Sequence, residues 1–219
     1  MPRTQVGRTP SVRRRRIPAA APVKRGILDV TVVLVPEGYA STAIAPIEIF
    51  HSAGALWQSL RGDAPQPRFR VRVASIDGAP VPSLCALRLM PELAIADVEH
   101  TDIVVLSATG LNVQEQIARS TTLLPWLREW HARGAYIASV CSGAAFLAES
   151  GLLDGRQATT HWGVADLLRR RYPNVLWRPE QFVTEDGRLL CSGGLYASVA
   201  LDARRSVPDA FRELAERQL

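Results

Sequence analysis

Residues 135–151 read A-Y-I-A-S-V-C-S-G-A-A-F-L-A-E-S-G, from Ala135 to Gly151. The run into Cys141 suits a buried strand, and the glycine and small apolar residues behind it suit a helix, so the chain has to change from one to the other at Cys141 itself. A turn that tight has the geometry of a nucleophile elbow, in which a reactive side chain stands at the end of a sheet and small neighbours, here Ser139 and Gly143, avoid collisions. At a helix N-terminus the thiolate is favoured over the thiol, and the free amides of Ser142 and Gly143 can donate to an anion or a developing oxyanion. The spacing therefore predicts a Cys141 of lowered pKa. The plainer alternative is a free cysteine filling space as a small hydrophobe.

Working outward, the segments that feed and follow this turn alternate between the two periodicities. I-L-D-V-T-V-V-L-V from Ile27 is rich in β-branched residues and reads as a central strand covered on both faces. P-E-G-Y-A-S-T leaves its C-terminal end, where open α/β sheets bind ligands. A helix is predicted from Thr42 or Pro46 to Leu60, with Ile47, Phe50, Gly54 and Trp57 on its apolar side. Glu48 lies off that stripe, either as a solvated carboxylate or as a group pointing back toward the ligand. Arg68 to Ile76 reads as a half-exposed strand, Ala79 to Leu89 as a short hairpin in which Cys85 packs, and 101–107 as a second buried strand. Gly110 follows that strand and is either a point of close backbone approach to a ligand or an ordinary loop glycine.

Helices at 112–120 and 125–133 lead to the elbow strand. Beyond Gly151, Q-A-T-T-H-W forms a short strand carrying His161 at its end, and a helix follows from Trp162 to Arg171. N-V-L-W and R-L-L-C-S-G-G finish the sheet, with Cys191 buried as filling and Gly193 and Gly194 turning into a last helix. The alternation predicts an α/β fold, a three-layer α/β/α sandwich with a mostly parallel central sheet.

Composition narrows the function. A chain of 219 residues, 47% of them hydrophobic, supports one sizeable core. Residues 1–26 hold eight basic residues and no acid, so a net charge of +5 leaves the remainder at −3. The composition predicts a disordered Arg-rich leader over 1–26, a folded domain over 27–200 and a short helical tail over 201–219. Arg13 to Arg16 lack the apolar stretch of an export signal, and no run is long enough to span a bilayer, so the reading is a cytoplasmic protein without a membrane partner. Three cysteines at these spacings form neither a metal site nor a disulfide framework. Neither phosphate-binding glycine motif follows the first strand, so no cofactor and no metal are expected.

Taken together, A-P-I-E-I-F on the first helix, S-V-C-S-G-A at the elbow, G-L-L-D-G-R after it and A-T-T-H-W resemble the ThiJ/PfpI superfamily, a class I glutamine amidotransferase-like group. The likeness is closest to the sensor domain of GlxA-group AraC-type transcriptional regulators and covers roughly 27–200. It implies that Cys141 is the elbow cysteine, His161 its neighbouring histidine and Gly110 part of the loop supplying backbone donors; Thr42, Glu48, Ser142 and Gly143 are the further candidates, from their places in the sequence, for lining a small-molecule pocket. Catalytic members carry a carboxylate four residues before the first-helix proline, where this chain has Thr42. A hydroxyl is no base near neutral pH. The resemblance thus implies a dimeric, ligand-sensing domain for transcription regulation, and its alternative is a stand-alone cysteine enzyme of the amidase, isonitrile hydratase or deglycase kind. Residues 201–219 are too few for a helix-turn-helix unit, so sequence-specific DNA binding by this chain alone is not expected.

Overall fold

The computed structural model describes residues 26–110 and 112–194. The expected disordered leader over 1–26, all but its last residue, the final helix after Gly194 and the helical tail over 201–219 lie outside the described residues. In chain order the elements are β1 (Leu28–Val33), α1 (Ser41–Ser52), α2 (Leu56–Leu60), β2 (Phe69–Ser75), β3 (Val81–Pro82), β4 (Arg88–Leu89), β5 (Leu93–Ala94), β6 (Ile103–Leu106), α3 (Val113–Arg119) and α4 (Leu123–Ala132). They continue with β7 (Tyr136–Val140), α5 (Ala144–Glu149), β8 (Gln157–Ala158), α6 (Trp162–Arg171), β9 (Leu176–Trp177), β10 (Val183–Asp186) and β11 (Leu189–Ser192).

Seven strands form one sheet in the order β10-β11-β7-β6-β1-β2-β5. Every neighbour pair in it is parallel except β10 with β11. The β-branched runs explain its centre, because β1 and β6 are buried along their whole length and need apolar side chains on both faces. On one face Val33, Leu106, Ile137 and Leu189 pack against Ile117, Leu127, Phe146 and Leu168 of α3 to α6. On the other, Val30, Val32, Val105 and Val140 pack against Ala43 of α1 and Val81 of the β3–β4 hairpin. The architecture is the expected α/β sandwich.

Parallel strands share direction, so the loops after β1, β6 and β7 emerge at one edge of the sheet. At the opposite edge Arg70 donates from Nε and Nη2 to the two carboxylate oxygens of Asp29, at 2.5 and 2.7 Å, and His100 faces Asp102 at 3.3 Å.

Three expectations need correction. The helix predicted to Leu60 breaks into α1 and α2 at Gly54, whose φ of +75° and contact with the Gln66 carbonyl interrupt the helical path, and Trp57 is exposed instead of lying on a buried stripe. N-V-L-W does not join the main sheet, since β9 pairs only with β8. The seventh strand is β10, turned onto β11 through Gly187 at φ +66°. Among the described residues, no helix is long and apolar enough to cross a membrane.

Candidate functional site

β7 ends at Val140, a single 3-10 turn covers Cys141–Gly143, and α5 follows at once. Cys141 holds φ +58°, a left-handed conformation that costs a non-glycine residue on the order of 1–3 kcal/mol. Neighbouring loops hold it there. A side chain at position 143 would place its Cβ 2.7 Å from the Ser107 carbonyl oxygen, so only glycine lets the turn settle on the loop after β6. Ser142 Oγ donates to the Thr109 carbonyl at 2.8 Å, and Thr160 Oγ1 donates to the Cys141 carbonyl at 3.1 Å.

Thr42 closes the second side of this edge. Fully buried, it donates through Oγ1 to the Tyr39 carbonyl at 2.7 Å and accepts from the Ala108 amide at 3.0 Å, joining the loop after β1 to the loop after β6. The Ala108 amide is therefore occupied and is no free oxyanion donor. Gly110 is buried in the same contact, and the close approach it permits is to Glu37, whose carbonyl oxygen a Cβ would meet at 2.8 Å.

His161 is the N-cap of α6 and lies beyond the end of β8. The correction to its placement on a strand end has a physical reason: its Nδ1 accepts the Gly163 amide at 3.1 Å, one of the amides that a helix start leaves without a partner. With Nδ1 accepting, the neutral ring carries its proton on Nε2. The Thr160 bond brings this segment against the Cys141 backbone. Glu48 is exposed on α1 and is not part of this cluster of contacts.

The cysteines depart from expectation in two respects. Burial pushes the Cys141 thiol up, with the Ser142 amide and hydroxyl only partly opposing it, so the predicted lowering is not found. The short α5 offers little dipole against that desolvation. Cys85 is exposed, because the two-residue strands of its hairpin leave the turn between them no core to enter. Cys191 is buried as expected, its thiol raised to about 11 by desolvation.

Sequence reading missed Glu37 and Thr160. Glu37 stands at φ +60° after β1, accepts from Gln116 Nε2 at 2.9 Å and faces Arg119 at 3.8 Å; the E-G pair ending a buried strand was its available signal. At the far edge, Asp29, His100 and Asp102 bring possible metal-ligating atoms within 4.8 Å of one another, but Arg70 already holds both oxygens of Asp29. A cavity there is lined by His100, Asp102, Trp130 and Arg133, away from Cys141.

Comparison with known proteins bears on this arrangement. The profile of the DJ-1/PfpI family matches residues 32–203. The HTH-type transcriptional regulator CdhR of Pseudomonas aeruginosa is 30% identical over 126 residues, 58% of this chain and 37% of the regulator. An isonitrile hydratase of Pseudomonas putida is 33% identical over 134 residues, 61% of this chain and 56% of the hydratase. The chain thus spans about a third to just over half the length of these relatives. The crystal structure of an AraC family transcriptional regulator from Pseudomonas putida superposes with a TM-score of 0.65 at 24% identity, covering 87% of this chain and 98% of that one, which is a likeness of fold.

Proposed function

This chain belongs to the DJ-1/PfpI family, and within it we propose a ligand-sensing domain of the kind carried by AraC-type regulators, acting as a cytoplasmic homodimer that takes a small molecule beside Cys141 and His161. The observation that carries this reading is Thr42. At the position where the resemblance places a carboxylate stands a hydroxyl already engaged in two hydrogen bonds, to the Tyr39 carbonyl and the Ala108 amide. It can neither take a proton near neutral pH nor share one with a thiolate. A buried thiol pushed toward its protonated form and a His161 Nδ1 tied to Gly163 support the same reading.

Turnover decides it. With isonitriles, simple amides and glyoxal-type aldehydes the expected result is that the unmodified protein gives no rate above a Cys141→Ala control. Thr42→Asp restores a carboxylate, and since a positioned proton-transfer group contributes about a hundredfold to ten-thousandfold, a detectable gain is expected from that variant alone. In a thermal-shift screen of small metabolites, a stabilising compound loses its effect in His161→Ala and in Cys141→Ala.

A second reading is a cysteine hydrolase or hydratase. It is favoured by the left-handed backbone at Cys141 and by the 33% identity to the isonitrile hydratase. Robust Cys141-dependent turnover by the unmodified protein would replace the sensor reading with this one, His161 then serving as proton carrier.

A further inference from the structure

The helices that begin at the candidate site also meet at their other ends. α5 starts just after the Cys141 turn and ends at Glu149; α6 starts at the His161 cap and is closed by Tyr172. At the near corner Thr160 Oγ1 donates to the Cys141 carbonyl at 3.1 Å. At the far corner Glu149 Oε2 accepts from the Tyr172 hydroxyl, from Arg171 Nε at 3.3 Å and from Arg171 Nη2 at 3.2 Å. Arg171 Nε also donates to the Tyr172 oxygen at 2.9 Å, and its guanidinium lies over the tyrosine ring at 5.6 Å. Cys141, α5, this cluster, α6 and Thr160 thus form a closed frame with the cysteine and the histidine at its near corner.

The terminal arginines of α6 look in the sequence like a solvated helix end, and Arg169 is one, paired with Asp166 on its own helix. Arg171 differs in reaching a neighbouring helix. Tyr172 is half-buried, and burial followed by the Glu149 carboxylate holds its phenol well above the ordinary range, so it remains a donor wherever the protein is folded. A helix of ten residues is a stiff rod of about 15 Å, so fixing its end fixes the direction of its start.

We infer that Glu149, Arg171 and Tyr172 are positioning residues for the Cys141–His161 site: they hold α6 against α5 so that Thr160 meets the Cys141 carbonyl and His161 keeps its place at the rim. This rests on reading Cys141 and His161 as one site. It does not depend on whether that site senses or catalyses.

The test reads Cys141 directly, with no ligand and no turnover. In a Cys85→Ser background, which removes the exposed competitor, the alkylation rate of Cys141 by iodoacetamide is followed against pH, with Cys191 quantified by mass spectrometry. In Glu149→Ala the far corner opens, Thr160 withdraws, and Cys141 gains solvent. Its rate rises several-fold and its pH midpoint falls toward that of an ordinary thiol, while Cys191 stays unlabelled. Tyr172→Phe moves in the same direction by less, and Glu149→Gln, which keeps an oxygen acceptor, restores a rate close to the parent's. A Glu149→Ala protein with a lower melting temperature but the parent's Cys141 rate and midpoint overturns the inference, reducing the cluster to a structural brace. Should Glu149→Ala fail to fold, Tyr172→Phe decides by the same readout: a shifted Cys141 rate supports the inference and the parent's rate overturns it. Because turnover and ligand binding are not measured, failure here is separable from failure of the sensor proposal.

Discussion

The two edges of the parallel sheet are closed by different chemistry. Where β1, β2 and β6 begin, charged groups join the strands beside the Thr31–Thr101 hydroxyl contact: Arg70 on Asp29, His100 facing Asp102, and the Asp29 amide donating to the Asp102 carboxylate at 2.9 Å. Where β1, β6 and β7 end, around Cys141, the joints are hydroxyls on backbone groups, namely Thr42 on Ala108 and Tyr39, Ser107 on Val35, Ser142 on Thr109 and Thr160 on Cys141. Neutral joints do not titrate and are hardly screened, so the contacts beside Cys141 keep their shape through changes of pH and salt that act on the other edge, the exposed Glu37–Arg119 pair being the charged contact on this side.

Four measurements can break or sharpen that contrast. The largest effect belongs to Gly38→Ala, because a Cβ there would lie 1.9 Å from the Ala108 carbonyl oxygen and the two loops would have to part. A loss of about 3 kcal/mol in urea unfolding is expected, at the upper end of ordinary overpacking. Thr42→Val comes next: it leaves the buried Ala108 amide without an acceptor and should cost about 2 kcal/mol, equally at low and high salt. A salt-dependent loss would show that charge contributes at this edge too.

Third, a limiting thiol reagent at neutral pH should label exposed Cys85 first and Cys141 several-fold more slowly, because Cys141 is buried and burial holds its thiol above the ordinary value, so that its rate is still climbing as pH rises past that value. Faster labelling of Cys141 would mean that the helix start outweighs burial. The smallest effect is Asp29→Asn, about 1 kcal/mol, since Arg70 is largely exposed. The hydrogen bond from Arg70 holds Asp29 below its ordinary pKa. Its stabilisation is therefore complete above the unfolded value of about 4 and is lost as pH falls through the lower folded value. The parent should lose stability on acidification that Asp29→Asn does not, and 1 M salt should narrow the gap between them.

Legibility followed the strength of the local pattern. Runs such as V-T-V-V and I-V-V-L can only be buried strands, and the small residues around Cys141 force the turn, so the sheet's centre and the site's first residue were readable. V-T-E-D at 183–186 was not, because an edge strand with two acids has no apolar period; the D-G pair at 186–187 was the signal for its hairpin. Thr160 carries no mark in T-T-H-W that tells a hydroxyl reaching across to Cys141 from one facing water. The protonation of Cys141 was misjudged because a helix start is visible in sequence, whereas the depth of burial depends on loops far away along the chain.

One feature of the sheet bears on how copies of this domain could associate. Along the outer side of β10, the Gln157 amide donates to Asp186, the Thr159 amide donates to the Thr184 hydroxyl, and Arg156 pairs with Asp186. At the other end β5 is only two residues long. Among the described residues, the β8 segment therefore lies along the side chains of β10 and β5 is short, so neither border offers a second copy a long, uncovered strand to extend. Association through helices or the hairpin would leave each sheet a separate unit and each Cys141 turn framed within its own chain.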